Sequence, residues 1–412
     1  MRGFRAYRST IVLSLMLVLT GIAIGPAPAQ AAAATFSEVT AILGYDDTLD
    51  EASLDALVRE LGGEIVGQSK EVRFVVVATE DPAQFVADAQ GLPGVRYAER
   101  DPLVVSESTP NDQFWVNQWG PRAINADDAW DVEKGDGAIV AVLDTGVDWK
   151  HSDLLASMWT NGDEVPFDRI DNDGNGYVDD FIGWNFESQT YDPSPAGCGD
   201  HGTHVAGIVA AQQDNVLGVS GVAPHTKIMA LKMLCASNHL SAGALAVVYA
   251  ANNGANIVTC SWYATFSSTA FEESVAWAYS QKNVLFVKSA GNQYGGAVTY
   301  PGTLPEFIAV SSLQSNLALS AFSSVGAKVE LAAPGGNIYS TYGGTYSYLS
   351  GTSMAAPHVA GTAALLFAHE PGITNVEVRG VLNSTATDLG AAGRDNQFGF
   401  GIVDAQAALA GL

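Results

Sequence analysis

The sequence predicts an α/β fold, a mostly parallel central sheet with helices on both faces, preceded by a small α+β domain, and three observations carry that expectation. From Asn111 onward, short β-branched apolar runs alternate with longer segments of helical period. Such alternation is what β-α-β units produce when each strand is buried on both faces. The segment from Ala32 to about Ser108 instead compresses strands and helices into a small self-contained pattern. Finally, 47% of the 412 residues are hydrophobic, enough for a sizeable core and too many for a disordered chain.

In chain order, Arg2, Arg5 and Arg8 precede an apolar run from Ile11 to Ile24, then Pro26 and the small-residue site Ala29-Gln30-Ala31. A basic start, a short apolar stretch and an A-x-A site make an export signal, expected to be cut after Ala31 and to send the protein out of the cell. The run is short of the roughly 20 residues that span a bilayer, so no membrane partner is expected after cleavage. Ser37 to Gly44 then alternates like a strand, Leu49 to Leu61 has helical spacing, and Val72 to Thr79 is a β-branched strand. Pro82 to Ala89 reads as a short helix, Val95 to Val105 as extended chain, and Gly63 to Gln68 leaves room for one more strand. Together, 32–108 suit a split βαβ, ferredoxin-like domain.

Ser106-Glu107-Ser108-Thr109-Pro110 reads as a linker, which makes 109–412 the large domain. Its expected strands are Ala138 to Leu143, Lys227 to Met233, Asn256 to Thr259, Val284 to Val287, Ile308 to Val310 and Val329 to Leu331. Helical patterns cover Gly202 to Gln212, Ala242 to Asn253 and Thr352 to His369. With 19 Lys and Arg against 44 Asp and Glu, the net charge of -25 excludes nucleic acid as a partner, since nothing supplies a basic patch for phosphates. Cys198, Cys235 and Cys260 are too few and too scattered for a zinc site; after export their arithmetic is one disulfide and one leftover thiol.

Three motifs carry chemistry. Ala138-Ile-Val-Ala-Val-Leu-Asp144-Thr-Gly-Val-Asp148 is a buried strand that delivers Asp144 at its carboxyl end, where open α/β sheets place ligands. Asp200-His201-Gly-Thr-His204-Val-Ala-Gly207 opens a helix of small residues, as does Ser350-Gly-Thr-Ser353-Met-Ala-Ala-Pro357-His-Val-Ala-Gly361. A hydroxyl is a poor nucleophile at neutral pH, so it needs a base within reach and a third group that orients the base. Ser353, His201 and Asp144 supply one of each, and a helix start behind Ser353 supplies N–H groups for an oxyanion. An aspartic protease would need a second Asp-Thr/Ser-Gly, and a zinc protease the Glu of H-E-x-x-H; neither is present.

These motifs, in the order Asp, His, Ser, resemble the subtilisin-like serine protease family (subtilases) from Pro110 to about Ala405. The resemblance implies a secreted serine endopeptidase acting on polypeptides, a monomer, with Asp144, His201 and Ser353 as its triad. Ser289-Ala-Gly-Asn292 resembles the family's oxyanion segment, which implies that Asn292 donates its amide. The segment 32–108 would be the propeptide, inhibitor and folding template, removed by self-cleavage near Glu107 to Pro110. The substrate segments, in which Ser261, Trp262, Tyr263, Asn238 and His239 are the expected contacts, depart from the family pattern: Ser261-Trp262-Tyr263-Ala264 lacks two glycines, Ala236-Ser237-Asn238-His239-Leu240 lacks its usual glycines, and Lys288 interrupts a buried apolar strand. A groove blocked by Tyr263, leaving a binding protein with an idle triad, is the competing expectation. Cys198 and Cys235 are expected to pair beside the active site, with Cys260 free and buried.

Calcium is the expected cofactor. Asp171-Asn-Asp173-Gly-Asn175-Gly-Tyr177-Val-Asp179-Asp180 puts oxygens at every second position around glycines, with Asp171, Asp173, Asn175, the Tyr177 carbonyl and Asp179 or Asp180 as ligands. Ile182 stands where a helix-loop-helix site needs Glu, so that version is excluded. Resemblance to thermitase-like members implies a second site from Asp112, Asp153 and Asn215 with carbonyls of Gln213, Leu217 and Val219.

Overall fold

The structure, a computed structural model, describes residues 36–102, 109–235 and 238–412. The expected export signal, the linker residues Ser106 to Ser108, and Ala236 and Ser237 lie outside the described residues. The chain divides into two compact units, with the boundary between Leu103 and Val104.

The first unit runs β1 (Phe36–Tyr45), α1 (Glu51–Glu60), β2 (Gly63–Ser69), β3 (Phe74–Thr79), α2 (Pro82–Ala89) and β4 (Val95–Pro102). Its sheet has the order β2-β3-β1-β4, every neighbour antiparallel, which is the split βαβ arrangement. Asp50 and Asp81 start the two helices by accepting the amides of Ser53 and Gln84 at 2.8 and 3.0 Å, and Pro82 suits the first turn because its N–H would be unused. β3 begins at Phe74 and not at Val72, because Arg73 takes the left-handed φ of 56° and breaks the extended run. Val75 and Val77, alternating inward, then bury against Leu54, Val58 and Phe85.

The second unit is built on seven parallel strands, β5 (Ile139–Asp144), β6 (Gly183–Asn185), β7 (Lys227–Lys232), β8 (Ile257–Cys260), β9 (Leu285–Ser289), β10 (Phe307–Leu313) and β11 (Val329–Pro334). Their order is β11-β10-β9-β8-β5-β7-β6, so the direction of winding reverses at β5. A reversal of this kind opens a crevice at the carboxyl end of the strand, and Asp144 sits there. A hairpin follows, β12 (Ile338–Tyr342) with β13 (Thr345–Leu349). The helices are α3 (Gly120–Ala123), α4 (Ala126–Ala129), α5 (His201–Ala210), α6 (Leu240–Asn252), α7 (Thr269–Gln281), α8 (Thr352–His369), α9 (Asn375–Thr385) and α10 (Ala405–Ala410).

Alternation along β5 assigns the two cores. Val140 and Val142 pack with side chains of α5 and α8, while Ala141 and Leu143 pack with those of α6 and α7. Helices therefore cover both faces, and the continuous apolar strands follow from burial on both sides. The core face of α8 is lined by Ala355, Ala356, Ala360, Ala363 and Ala364, small enough to bring the helix, and Ser353 with it, close to the sheet.

Candidate active site

Asp144 ends β5 and is completely buried. Its Oδ1 accepts the amide of Thr145 at 2.7 Å and the Nδ1 proton of His201 at 2.8 Å. His201 is the first residue of α5, and the Gly202 amide donates to Thr145 Oγ1 at 3.0 Å, tying helix start to strand end. A Cβ on Gly202 would lie 2.9 Å from the Asp144 Cβ, so only glycine admits this close approach. Burial pushes the His201 imidazolium toward losing its proton, but the charge of Asp144 and the hydrogen bond to it prevail, and the pKa is raised. With Nδ1–H held by Asp144, the Nε2 lone pair is left to accept.

Ser353 is the second residue of α8 and half-buried. Its hydroxyl donates to the Ser261 carbonyl at 3.2 Å, and Ser261 Oγ donates back to the Ser353 carbonyl at 3.0 Å. Asn292 follows β9; its Oδ1 accepts the amide and hydroxyl of Thr352 at 3.0 and 2.9 Å, which leaves Nδ2 beside Gly351 at the start of α8. Ser353 and Asn292 share a cavity of about 310 Å³ with Asn238, Ser261, Tyr263 and Lys288. Tyr263 borders this space and stays 57% exposed, so the space is open. The Trp262 side chain turns into the core, its Nε1 donating to the Leu143 carbonyl at 2.9 Å. Asn238 accepts the Cys235 amide at 2.7 Å, and the exposed His239 precedes α6.

Cys198 and Cys235 are bonded, their Cα atoms 4.9 Å apart, while Cys260 is free and buried, its thiol kept protonated by burial. His204 is a core residue: Nε2 meets the carbonyls of Ile338 and Ser347 at 3.1 Å, and burial lowers its pKa to about 4.

Of the acidic loop, the structure gathers Asp173 and Asp180 around Glu164, with carboxylate oxygens within 4.8 Å of one another. Asn161 and Asn175 donate to both aspartates. Asp171 instead holds the amides of Asn175 and Gly176, Asp179 accepts the Arg169 amide, and the Tyr177 ring packs against Trp184. Spacing along 171–180 could not show Glu164, which lies outside the repeat.

At the second acidic group, Asp153 Oδ1 accepts from Asn215 Nδ2 at 2.7 Å and Oδ2 from the Val219 amide at 2.9 Å. Asp112 Oδ2 accepts from Ser220, but its Oδ1 is buried without a partner. Burial, with the charge of Asp112, raises the Asp153 carboxyl to about 6. The connecting loop holds Asp214, Val216 and Gly218 at φ values of 59°, 60° and 47°, a left-handed geometry costly for a β-branched residue. Leu217 donates its amide to Asn215 Oδ1, and the Gln213 side chain is taken by Lys134.

The profile described as the Subtilase family matches residues 135–401, and that described as the Fervidolysin N-terminal prodomain matches residues 26–101. The "Thermophilic serine proteinase" of Bacillus sp. (strain AK1) is 36% identical over 365 residues, 87% of this chain and 84% of that protein. Thermitase of Thermoactinomyces vulgaris is 37% identical over 289 residues, 69% of this chain and 94% of its own. Among solved structures, fervidolysin of Fervidobacterium pennivorans, described as keratinolytic, aligns with a TM-score of 0.63 at 28% identity, covering 92% of this chain and 61% of that one. A protease of Pseudoalteromonas arctica gives 0.62 at 30% identity, covering 74% of this chain and 99% of its own.

Proposed function

This chain belongs to the subtilase family and is a serine protease carrying a prodomain, and from that premise we propose that Asp144, His201 and Ser353 are its triad, in a secreted, self-processed, calcium-stabilised monomer. The observation that carries the reading is the 2.8 Å bond from His201 to the buried carboxylate at the end of β5, with Asn292 after β9 bonded to Thr352 at the start of α8. Asp144 fixes the tautomer; His201 Nε2 takes the Ser353 proton as Oγ bonds to the peptide carbonyl carbon. The oxyanion meets Asn292 Nδ2 and the first amides of α8. Collapse breaks the C–N bond while His201 returns the proton to the leaving amine, and water releases the acyl group by the same route. A serine-directed phosphonylating reagent should add its mass to the Ser353 peptide and abolish casein digestion; a label elsewhere with activity intact would sink the assignment. The open cavity beside Tyr263 disfavours the idle-groove alternative.

Asn292→Ala should lower kcat by about 10²- to 10³-fold, the range established for the corresponding donor in subtilisin, with KM little changed, because the amide acts on a charge present only in the transition state. An equal loss in KM would assign Asn292 to ground-state binding.

The segment 32–108 is read as the propeptide, cut near Glu107 to Pro110 and serving as template and inhibitor; large parallel sheets form slowly from distant contacts, and a template lowers that barrier. Secretion rests on the sequence of residues 1–31 and on relatives such as the one named "Halolysin-like extracellular serine protease" of Natrialba magadii. Among the described residues no helix is long and apolar enough to cross a membrane.

Both acidic groups suit calcium, a hard cation that takes oxygen ligands. Asp112, Asp153 and Asn215 with carbonyls of Gln213, Leu217 and Val219 would hold one ion, which the orphaned Asp112 Oδ1 supports. Glu164, Asp173 and Asp180, with neighbours from 171–179, would hold the other. Bound calcium would neutralise the buried carboxylates. Removing it with a chelator should lower Tm by a few degrees, since a ligand at 100 times its Kd adds about 2.7 kcal/mol. The sign with pH follows from Asp153: its folded pKa is raised to about 6, so the ion-free protein loses stability as pH rises from the unfolded carboxyl value through about 6. The chelator effect should therefore be larger at pH 8 than at pH 5; calorimetry showing no difference would remove Asp153 from the site.

A further inference from the structure

Lys288 is the fourth residue of β9, in register with Cys260 on β8 and Ala309 on β10, in the middle of the parallel sheet. Its side chain shares the Phe286 face and is wholly buried, yet it lines the cavity that holds Ser353 and Asn292. Nζ donates to the Ser289 carbonyl and to Thr299 Oγ1, the latter at 3.0 Å, with Ser289 Oγ at 3.4 Å; both residues line the same cavity. All of these acceptors are neutral, and among the described residues no carboxylate forms an ion pair with Lys288. The titratable group that acts on it is the Cys260 thiol, itself kept neutral by burial. Burial lowers the ammonium to about pKa 7, as expected of a cation without a counter-charge.

A buried cation without a partner is costly, and evolution of a core offers many apolar residues that would fill this strand at no such cost. In a chain of net charge -25 this one lines the same cavity as Ser353. We propose that Lys288 makes this cavity an acceptor for a carboxylate, so that the enzyme cleaves after glutamate or aspartate in preference to neutral residues. The inference rests on the protease reading of the same site and adds its substrate class. The entering carboxylate would displace a neutral acceptor from Nζ and supply the missing charge through a charge-assisted hydrogen bond.

The test is a peptide series identical except for the residue before the cut, Glu, Gln, Leu or Lys, with kcat/KM measured at pH 7 on the mature enzyme. Cleavage after Glu should exceed cleavage after Gln by about 10- to 100-fold, the worth of one hydrogen bond to a charged group. That ratio should fall to about 1 in Lys288→Met and also in Thr299→Asp, which sets a carboxylate next to Nζ from within, so the result does not hang on one variant folding. A Glu/Gln ratio of 1 or less in the wild type, or a preference that survives both substitutions, overturns the proposal while leaving a protease. No cleavage of any peptide or of casein would remove the reading beneath it and this proposal together.

Discussion

Ser353→Ala is expected to leave the precursor at full mass and to lower kcat on a peptide substrate by about 10⁶-fold, a magnitude taken over from subtilisin. The reason is the division of labour in the site. Asp144 and His201 have no proton to take unless a hydroxyl stands at the start of α8, and the oxyanion donors then stabilise nothing that forms quickly. A residual rate about 10³- to 10⁴-fold above water should persist, because Asn292 and the α8 amides still bind a carbonyl attacked directly by water. Mass spectrometry of the purified precursor, incubated with calcium, separates the outcomes. Shortening of the wild type alone marks self-processing, and the cut gives the mature start. Shortening of Ser353→Ala in isolation would show that another nucleophile is at work.

Asp144→Asn should cost about 10⁴-fold in kcat with the fold retained, since an amide of the same shape can present its N–H to His201 and hold the wrong tautomer. The pH profile gives a second, independent reading. The base works only when neutral, so wild-type kcat/KM rises with pH through the His201 pKa, which Asp144 holds above the usual value. Without that charge, burial alone acts on the ring, and the acidic limb should move to lower pH. A limb that stays in place while kcat falls would mean that Asp144 orients His201 without setting its charge.

Both effects could be framed from the chain alone because each residue comes from a motif with strong local grammar. Asp144 ends a run in which every other side chain is core on one face and the rest on the other, and such a run is visible in sequence as unbroken apolar residues. His201 and Ser353 each open a helix of small residues, and small residues are what close packing on a sheet requires. The prodomain strands were legible through period-two burial, as at Val75 and Val77. Short elements were not. β6 spans three residues and each strand of the β12–β13 hairpin five, joined by Gly343 and Gly344 at positive φ, too little chain for periodicity to accumulate.

What the sequence determined by itself was the order of the longer sheet strands, the helices that begin near His201 and Ser353, and the candidates for the chemistry. Those properties are local or additive, so a linear reading reaches them. Only the tertiary structure decided which distant groups meet. Glu164 joins Asp173 and Asp180 because a turn folds it back across the loop; Trp262 leaves the substrate segment for the core because Leu143 offers its carbonyl; and Lys288, an anomaly in a strand, becomes part of a cavity with Ser353. Side-chain direction and long-range contact depend on how the sheet twists and where its winding reverses, which no short window of sequence encodes.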